Sequence, residues 1–247
     1  MRILIVNPNT TVSMTEKAAI AARAVAAAGT EITAATSRMG PASIEGHYDG
    51  ALAVPGLLNE LKLRQAEGYD AAVVACFDDT GLEAARSFSD VPVLGLCESA
   101  VATAGFLAQR FTVVTTLERS RVLIDNLLHR YGMGGRAKVR ASDIPVLELE
   151  NPASGAIGKL RSEIERALSE DGAEAIVLGC AGMTDLARDL QAIYGVPVVD
   201  GVAAAVKQAE ALVSLGLSTS KRGSYASPLH KPFLGAMSSF APSPVVR

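Results

Sequence analysis

The sequence predicts a two-lobed α/β protein in which each lobe is a doubly wound parallel sheet and the active site lies in the cleft between them. Three observations carry that prediction. Short β-branched or Leu-rich runs alternate with alanine- and charge-rich segments along the chain, the pattern of βα units. Residues 71–92, AAVVACFDDTGLEAARSFSDVP, are repeated at 175–197 as AIVLGCAGMTDLARDLQAIYGVP. More loosely, ILIVNPNT at 3–10 matches FTVVTTLERS at 111–120, each an apolar run ending in polar residues that lead into a helix.

Taken in order, residues 3–6 form the first strand and 13–27 the first helix, whose spacing leaves one apolar face. A helix at 57–67 precedes the strand at 71–75, and the first repeat then supplies a Cys, a polar loop and an amphipathic helix. Val-Pro-Val opens the strand at 91–96, and an alanine-rich helix follows at 99–109. The second half runs through strands at 112–115, 175–178 and 196–199 and helices at 162–169 and 202–215. From Cys to Pro the repeats measure 16 and 17 residues, so one gap aligns them. After each Val-Pro-Val an acid, Glu98 or Asp200, precedes a helix, where an N-cap or first-turn carboxylate belongs. Lobe one is expected over 1–100 together with a returning C-terminal helix and tail, 206–247, and lobe two over 101–205. Beyond residue 217 the chain reads as an irregular strap.

Composition narrows the function. The 247 residues are 49% hydrophobic and 20% charged, which excludes a disordered or collagenous chain. A net charge of −3 offers no handle for nucleic acid or an anionic membrane, and no apolar run reaches the length of a membrane span. Small neutral or modestly charged molecules remain as ligands. Three Cys and three His have no metal-site spacing; no metal and no cofactor are expected, and unpaired thiols suit a cytoplasmic protein.

A cysteine among small apolar residues is most often a buried hydrophobe, and Cys97 in VPVLGLCES is assigned to packing. Cys76 and Cys180 differ: each follows a strand directly, where a doubly wound sheet projects side chains into a cleft, and the repeat makes them equivalent. Two thiols facing each other across a cleft suit proton transfer at a carbon beside a carbonyl. One thiolate removes the proton and the other thiol reprotonates the opposite face, at a reference pKa near ~8.5. The N–H groups of Phe77, Asp78, Ala181 and Gly182 are placed to stabilise the carbanion at entering helices, with Asn9, Thr115 and Thr116 as neutral hydrogen-bonding groups. NPNT serves equally as a turn and cap, and Asp78 and Asp79 serve first as helix caps. His47 reads as a solvated loop residue, and GMGG at 132–135 as a turn.

With these motifs the chain resembles the aspartate/glutamate racemase superfamily and, within it, the hydantoin racemase branch that includes allantoin racemases. The resemblance rests on VNPNT at 6–10, PASIEGHYD at 41–49, ACFDDTGLEAAR at 75–86, FTVVTTLERS at 111–120, EAIVLGCAGM at 174–183, PVVDGVAAAVK at 197–207 and GLSTSK at 216–221. It implies a cofactor-independent racemase of 5-monosubstituted hydantoins using Cys76 and Cys180, working as a homo-oligomer, with Ile44 against the 5-substituent. Amino-acid racemases of the superfamily usually place Asn-Thr after the first Cys and Thr after the second. Phe77-Asp78 and Ala181-Gly182 here argue against free glutamate or aspartate. Thr80 stands where close relatives tend to carry Pro, a change expected to affect the turn and not the chemistry. Alternatives are an allantoin racemase, an amino-acid racemase, a decarboxylase or cis–trans isomerase of the superfamily, a non-catalytic small-molecule binder, and a redox pair between the two thiols.

Overall fold

The structure, a computed structural model, describes residues 1–242. It contains two four-stranded parallel sheets of identical topology. The first is built from β1 (Arg2–Asn7), β2 (Glu31–Thr36), β3 (Ala71–Val74) and β4 (Val93–Gly95), in the order β2-β1-β3-β4. The second, from β5 (Phe111–Thr115), β6 (Ala137–Ala141), β7 (Ala175–Leu178) and β8 (Val198–Asp200), has the order β6-β5-β7-β8. All pairings are parallel. β3 and β7 are wholly buried, as strands covered on both faces must be.

The intervening helices are α1 (Val12–Val25), α2 (His47–Gln65), α3 (Leu82–Phe88), α4 (Leu96–Leu107), α5 (Glu118–Arg130), α6 (Ala156–Glu170), α7 (Ala187–Tyr194) and α8 (Gly201–Ser214). α4 runs through residue 100 and packs on β7, β8 and α5 of the second sheet, while α8 returns to pack on β3, β4 and α1 of the first. One continuous apolar cluster therefore joins the facing sides of both sheets, from Ile3 and Val73 to Phe111 and Val177. Its middle is rich in alanine, including Ala100, Ala104, Ala205 and Ala209, small side chains that let helices pack closely. Separate clusters lie under α2 and α3 in one lobe and under α6 and α7 in the other. The tail is irregular and lies along lobe one: Thr219 donates to Val91 O at 2.7 Å and Lys221 Nζ to Arg86 O at 2.8 Å. Residues 243–247, at the end of the tail assigned to that lobe, lie outside the described residues.

Several expectations are corrected. α2 begins at His47 and carries Pro55 inside it, so the helix starts ten residues ahead of the expected 57 and His47 is an exposed first-turn residue. The strand expected over 91–96 is confined to β4, and Cys97 belongs to α4. α6 starts at Ala156, earlier than expected.

Candidate active site

The carboxyl ends of β1, β3, β5 and β7 converge on one cavity between the lobes, the end at which parallel sheets bind ligands. Cys76 and Cys180 both line it, and with them Asn9, Ile44, Phe77, Asp78, Thr115, Thr116, Ala181 and Gly182. Sequence reasoning did not assign Met14, Ser120, Val146 or Gly179 to the wall. Ser120 lay within the TTLERS motif and was open to assignment; Met14 and Val146 reach the cavity only through folding of α1 and of the 3-10 helix Val146–Glu150.

NPNT acts as a turn and as cavity wall together. Asn7 Nδ2 donates to Asn9 Oδ1 at 2.8 Å, Thr11 O at 3.1 Å and Thr15 Oγ1 at 3.0 Å, and Asn9 Oδ1 also accepts from Thr11 N at 2.9 Å. In the second lobe Thr115 Oγ1 donates to Gly179 O at 3.1 Å. A Cβ on Gly179 would come within 2.9 Å of Thr115 Cα, so only glycine lets β7 end this close to β5.

The segments after the two cysteines differ. After Cys180 the chain enters the 3-10 helix Ala181–Leu186 directly. After Cys76 it makes a turn and α3 does not begin until Leu82, so Phe77 and Asp78 do not enter a helix as expected. In that turn Asp79 takes a left-handed φ of 48°, which Asp tolerates better than most residues. Its carboxylate accepts from the N–H groups of Cys97 at 3.0 Å and Glu98 at 2.9 Å and from Tyr131 Oη at 2.7 Å. Asp79 is thus a cap, but of α4, far along the chain. A Cβ on Gly95 would lie 2.3 Å from Asp79 Oδ1, so this cap requires glycine there. α8 is capped by its own Asp200, which accepts from Val202 N at 3.1 Å and Ala203 N at 2.8 Å. Glu98, the sequence counterpart of Asp200, lies within the first turn of α4 and pairs with Arg86.

Both reactive-type thiols keep some exposure, but it opens into the cavity, and the surrounding protein removes bulk water. Burial pushes the Cys180 thiol up to about 11; the Gly182 N–H and the charge of Lys17 oppose that rise, and Asp78 adds to it. Cys76 is held higher still, first by burial and then by Asp78, against opposing hydrogen bonds from Thr80 and the Asp78 N–H. Gly182 N donates to Cys180 Sγ at 3.4 Å. At Cys180 this amide, from two residues on, favours the thiolate. Thr80 Oγ1 lies 3.4 Å from Cys76 Sγ, so Thr80 touches the thiol itself and not only the turn. Cys97 is fully buried. Among the described residues no group of three His, Cys, Asp or Glu side chains could hold a metal, and no helix is long and apolar enough to cross a membrane.

Similarity to known proteins identifies the family. Residues 3–209 match the family model Asp/Glu/Hydantoin racemase. A hydantoin racemase of Rhizobium meliloti is 50% identical over 236 residues, 95% of this chain and 98% of that protein. A hydantoin racemase of Pseudomonas sp. (strain NS671) is 46% identical over 241 residues, 97% of each chain. The solved allantoin racemase from Klebsiella pneumoniae superposes with a TM-score of 0.95 at 47% identity, covering 98% of this chain and 100% of that one. With the family model matched over both sheets and near-full-length relatives at this identity, the chain belongs to the Asp/Glu/Hydantoin racemase family and is an isomerase of the racemase class.

Proposed function

We propose that this racemase interconverts the D and L forms of 5-monosubstituted hydantoins, with Cys76 and Cys180 as its acid/base pair and no cofactor. The observation that carries the reading is the placement of two equivalent thiols on one cavity. C5 of a hydantoin lies beside a ring carbonyl, so its proton is acidic enough for a thiolate to remove. The enolate is planar, and reprotonation from the opposite thiol inverts the centre. One cysteine must be thiolate and the other thiol at the start of each turnover, and their roles exchange at its end. With Cys180 at about 11, about a thousandth of it is ionised in the empty cavity at about pH 8. Entry of a polar ring that bonds the cavity amides favours ionisation by replacing lost water. Phe77 and Ala181 N–H groups are assigned to the developing oxyanion, Asn9, Thr115 and Thr116 to the ring, and Ile44 to the 5-substituent. Working thiols also require a reducing compartment, which favours the cytoplasm.

Allantoin is itself a hydantoin with a ureido group at C5, so both names found among the relatives describe one substrate class. The test is polarimetry of EDTA-treated enzyme with L-5-benzylhydantoin and with (S)-allantoin in deuterated buffer, while proton NMR follows C5. Loss of rotation with deuterium entry is expected for at least one. Rotation and C5 proton both unchanged above the spontaneous rate would overturn the reading.

A further inference from the structure

Apart from the two thiols, Asp78 is the one ionisable side chain among the described residues lining the cavity, and no Lys or Arg lines it. Its charge is felt at both sulfurs, raising Cys76 and Cys180 alike. The other charges that reach Cys180 come from outside the wall. Lys17 is engaged with Gly182 O at 3.2 Å and Asp185 at 3.6 Å, and Glu45 accepts from Val146 N at 2.9 Å. Asp78 differs from its neighbour Asp79, whose oxygens are occupied by the α4 amides and Tyr131. Arginine or lysine in the wall would be the ordinary means of holding a carboxylate. A lone acid in a water-poor cavity does the opposite, because an unscreened like charge is costly there.

Resting on the assignment of this cavity as the substrate site, we infer that Asp78 is a specificity-determining residue that sorts ligands by charge. Its carboxylate accepts an N–H of a neutral cyclic ureide and turns away molecules that bring a carboxylate of their own. Burial and the adjacent Asp79 hold the Asp78 carboxyl at about 7, so the repulsion operates fully only where the acid is ionised.

Two matched reagent pairs test the inference. Iodoacetate and iodoacetamide are similar in size and differ in charge, and their rates at Cys76 and Cys180 are read by peptide mass spectrometry at about pH 8.5, where an acid of this pKa is ionised. The hydantoins of glutamate and glutamine form the second pair, read as a ratio of kcat/KM. In the native enzyme iodoacetamide should be favoured over iodoacetate about tenfold more than in urea-unfolded enzyme, and the glutamine hydantoin over the glutamate hydantoin by about tenfold, the size of a modest charge repulsion. Asp78→Asn should bring the alkylation ratio down to that of unfolded enzyme and lower the kcat/KM ratio about tenfold, and Asp78→Glu, which keeps the charge, should restore the preference. An alkylation ratio in native enzyme equal to that of unfolded enzyme overturns the inference, and so does a ratio unmoved by Asp78→Asn. Should the native enzyme racemise neither hydantoin, the proposed function fails, while the alkylation ratio still decides the charge selection.

Discussion

The Cys76 and Cys180 loops occupy equivalent ends of β3 and β7, yet their surroundings differ. The first carries two acids in succession, and burial first, with Asp78 second, holds the Cys76 thiol above its partner. The second has no acid in sequence beside its cysteine; the Asp78 charge reaches its thiol from the other lobe, and the Gly182 N–H and Lys17 pull the other way. The helix caps diverge in the same manner, Asp79 reaching across to α4 while Asp200 caps the helix that follows it. The repeat places two thiols on one scaffold, and burial, together with the hydrogen bonds and charges around each, makes the two unequal. Of the two thiols, Cys180 is raised less and is the easier to ionise.

The largest effect should come from removing either member. Cys76→Ala and Cys180→Ala should each lower racemisation by at least about a thousandfold with unchanged circular dichroism. In deuterated buffer each variant should exchange the C5 proton of a different enantiomer, which assigns one face to each lobe. Near-native racemisation in both variants would break the comparison at its root.

Next are the caps. Asp79→Ala strands two buried amides and the Tyr131 hydroxyl and should cost about 2–3 kcal/mol, against about 1 kcal/mol for Asp200→Ala, in urea unfolding. The Asp79 carboxyl is raised to about 6, mainly by burial, from 3.8. The folded protein therefore keeps a proton that the unfolded chain releases, so this contribution is full below about pH 4 and falls as pH rises through about 6. Asp79→Asn should flatten that decline. Equal losses for the two Ala variants would show that the distant cap adds nothing over the local one.

The smallest effects concern the thiols directly. Iodoacetamide should label Cys180 before Cys76 and leave Cys97 unlabelled, with the Cys180 rate rising with pH up to about 11. Thr80→Val removes the hydroxyl beside Cys76 Sγ and should slow Cys76 labelling a few-fold, about 1 kcal/mol or less for one hydrogen bond. Cys180 should be untouched, and Thr80→Ser should restore the rate. Equal slowing at both thiols would assign Thr80 to the loop as a whole.

Periodicity and the repeat made the central strands, the cysteine pair and the cleft legible in the sequence. What escaped did so for physical reasons. β2, EITAAT, and β6, AKVRA, are edge strands with only partial burial, so they lack the continuous apolar run that marked β1, β3, β5 and β7. The start of α2 escaped because its early turns are largely exposed, with burial beginning only at Ala53, so they carry no apolar face for the sequence pattern to reveal. The Asp79 cap could not be foreseen, since its partners Cys97 and Glu98 meet it only after β4 turns back into α4. Thr80 was misjudged because sequence adjacency to a turn does not reveal which way a hydroxyl points.

The crossing of α4 and α8 also bears on how the protein comes apart. Each sheet is roofed by a helix that the other half of the chain contributes, so neither half can melt while leaving its neighbour intact. Denaturation should be one cooperative event despite the twofold internal repeat. Halves of the chain synthesised separately would each display a bare apolar face and aggregate unless they met.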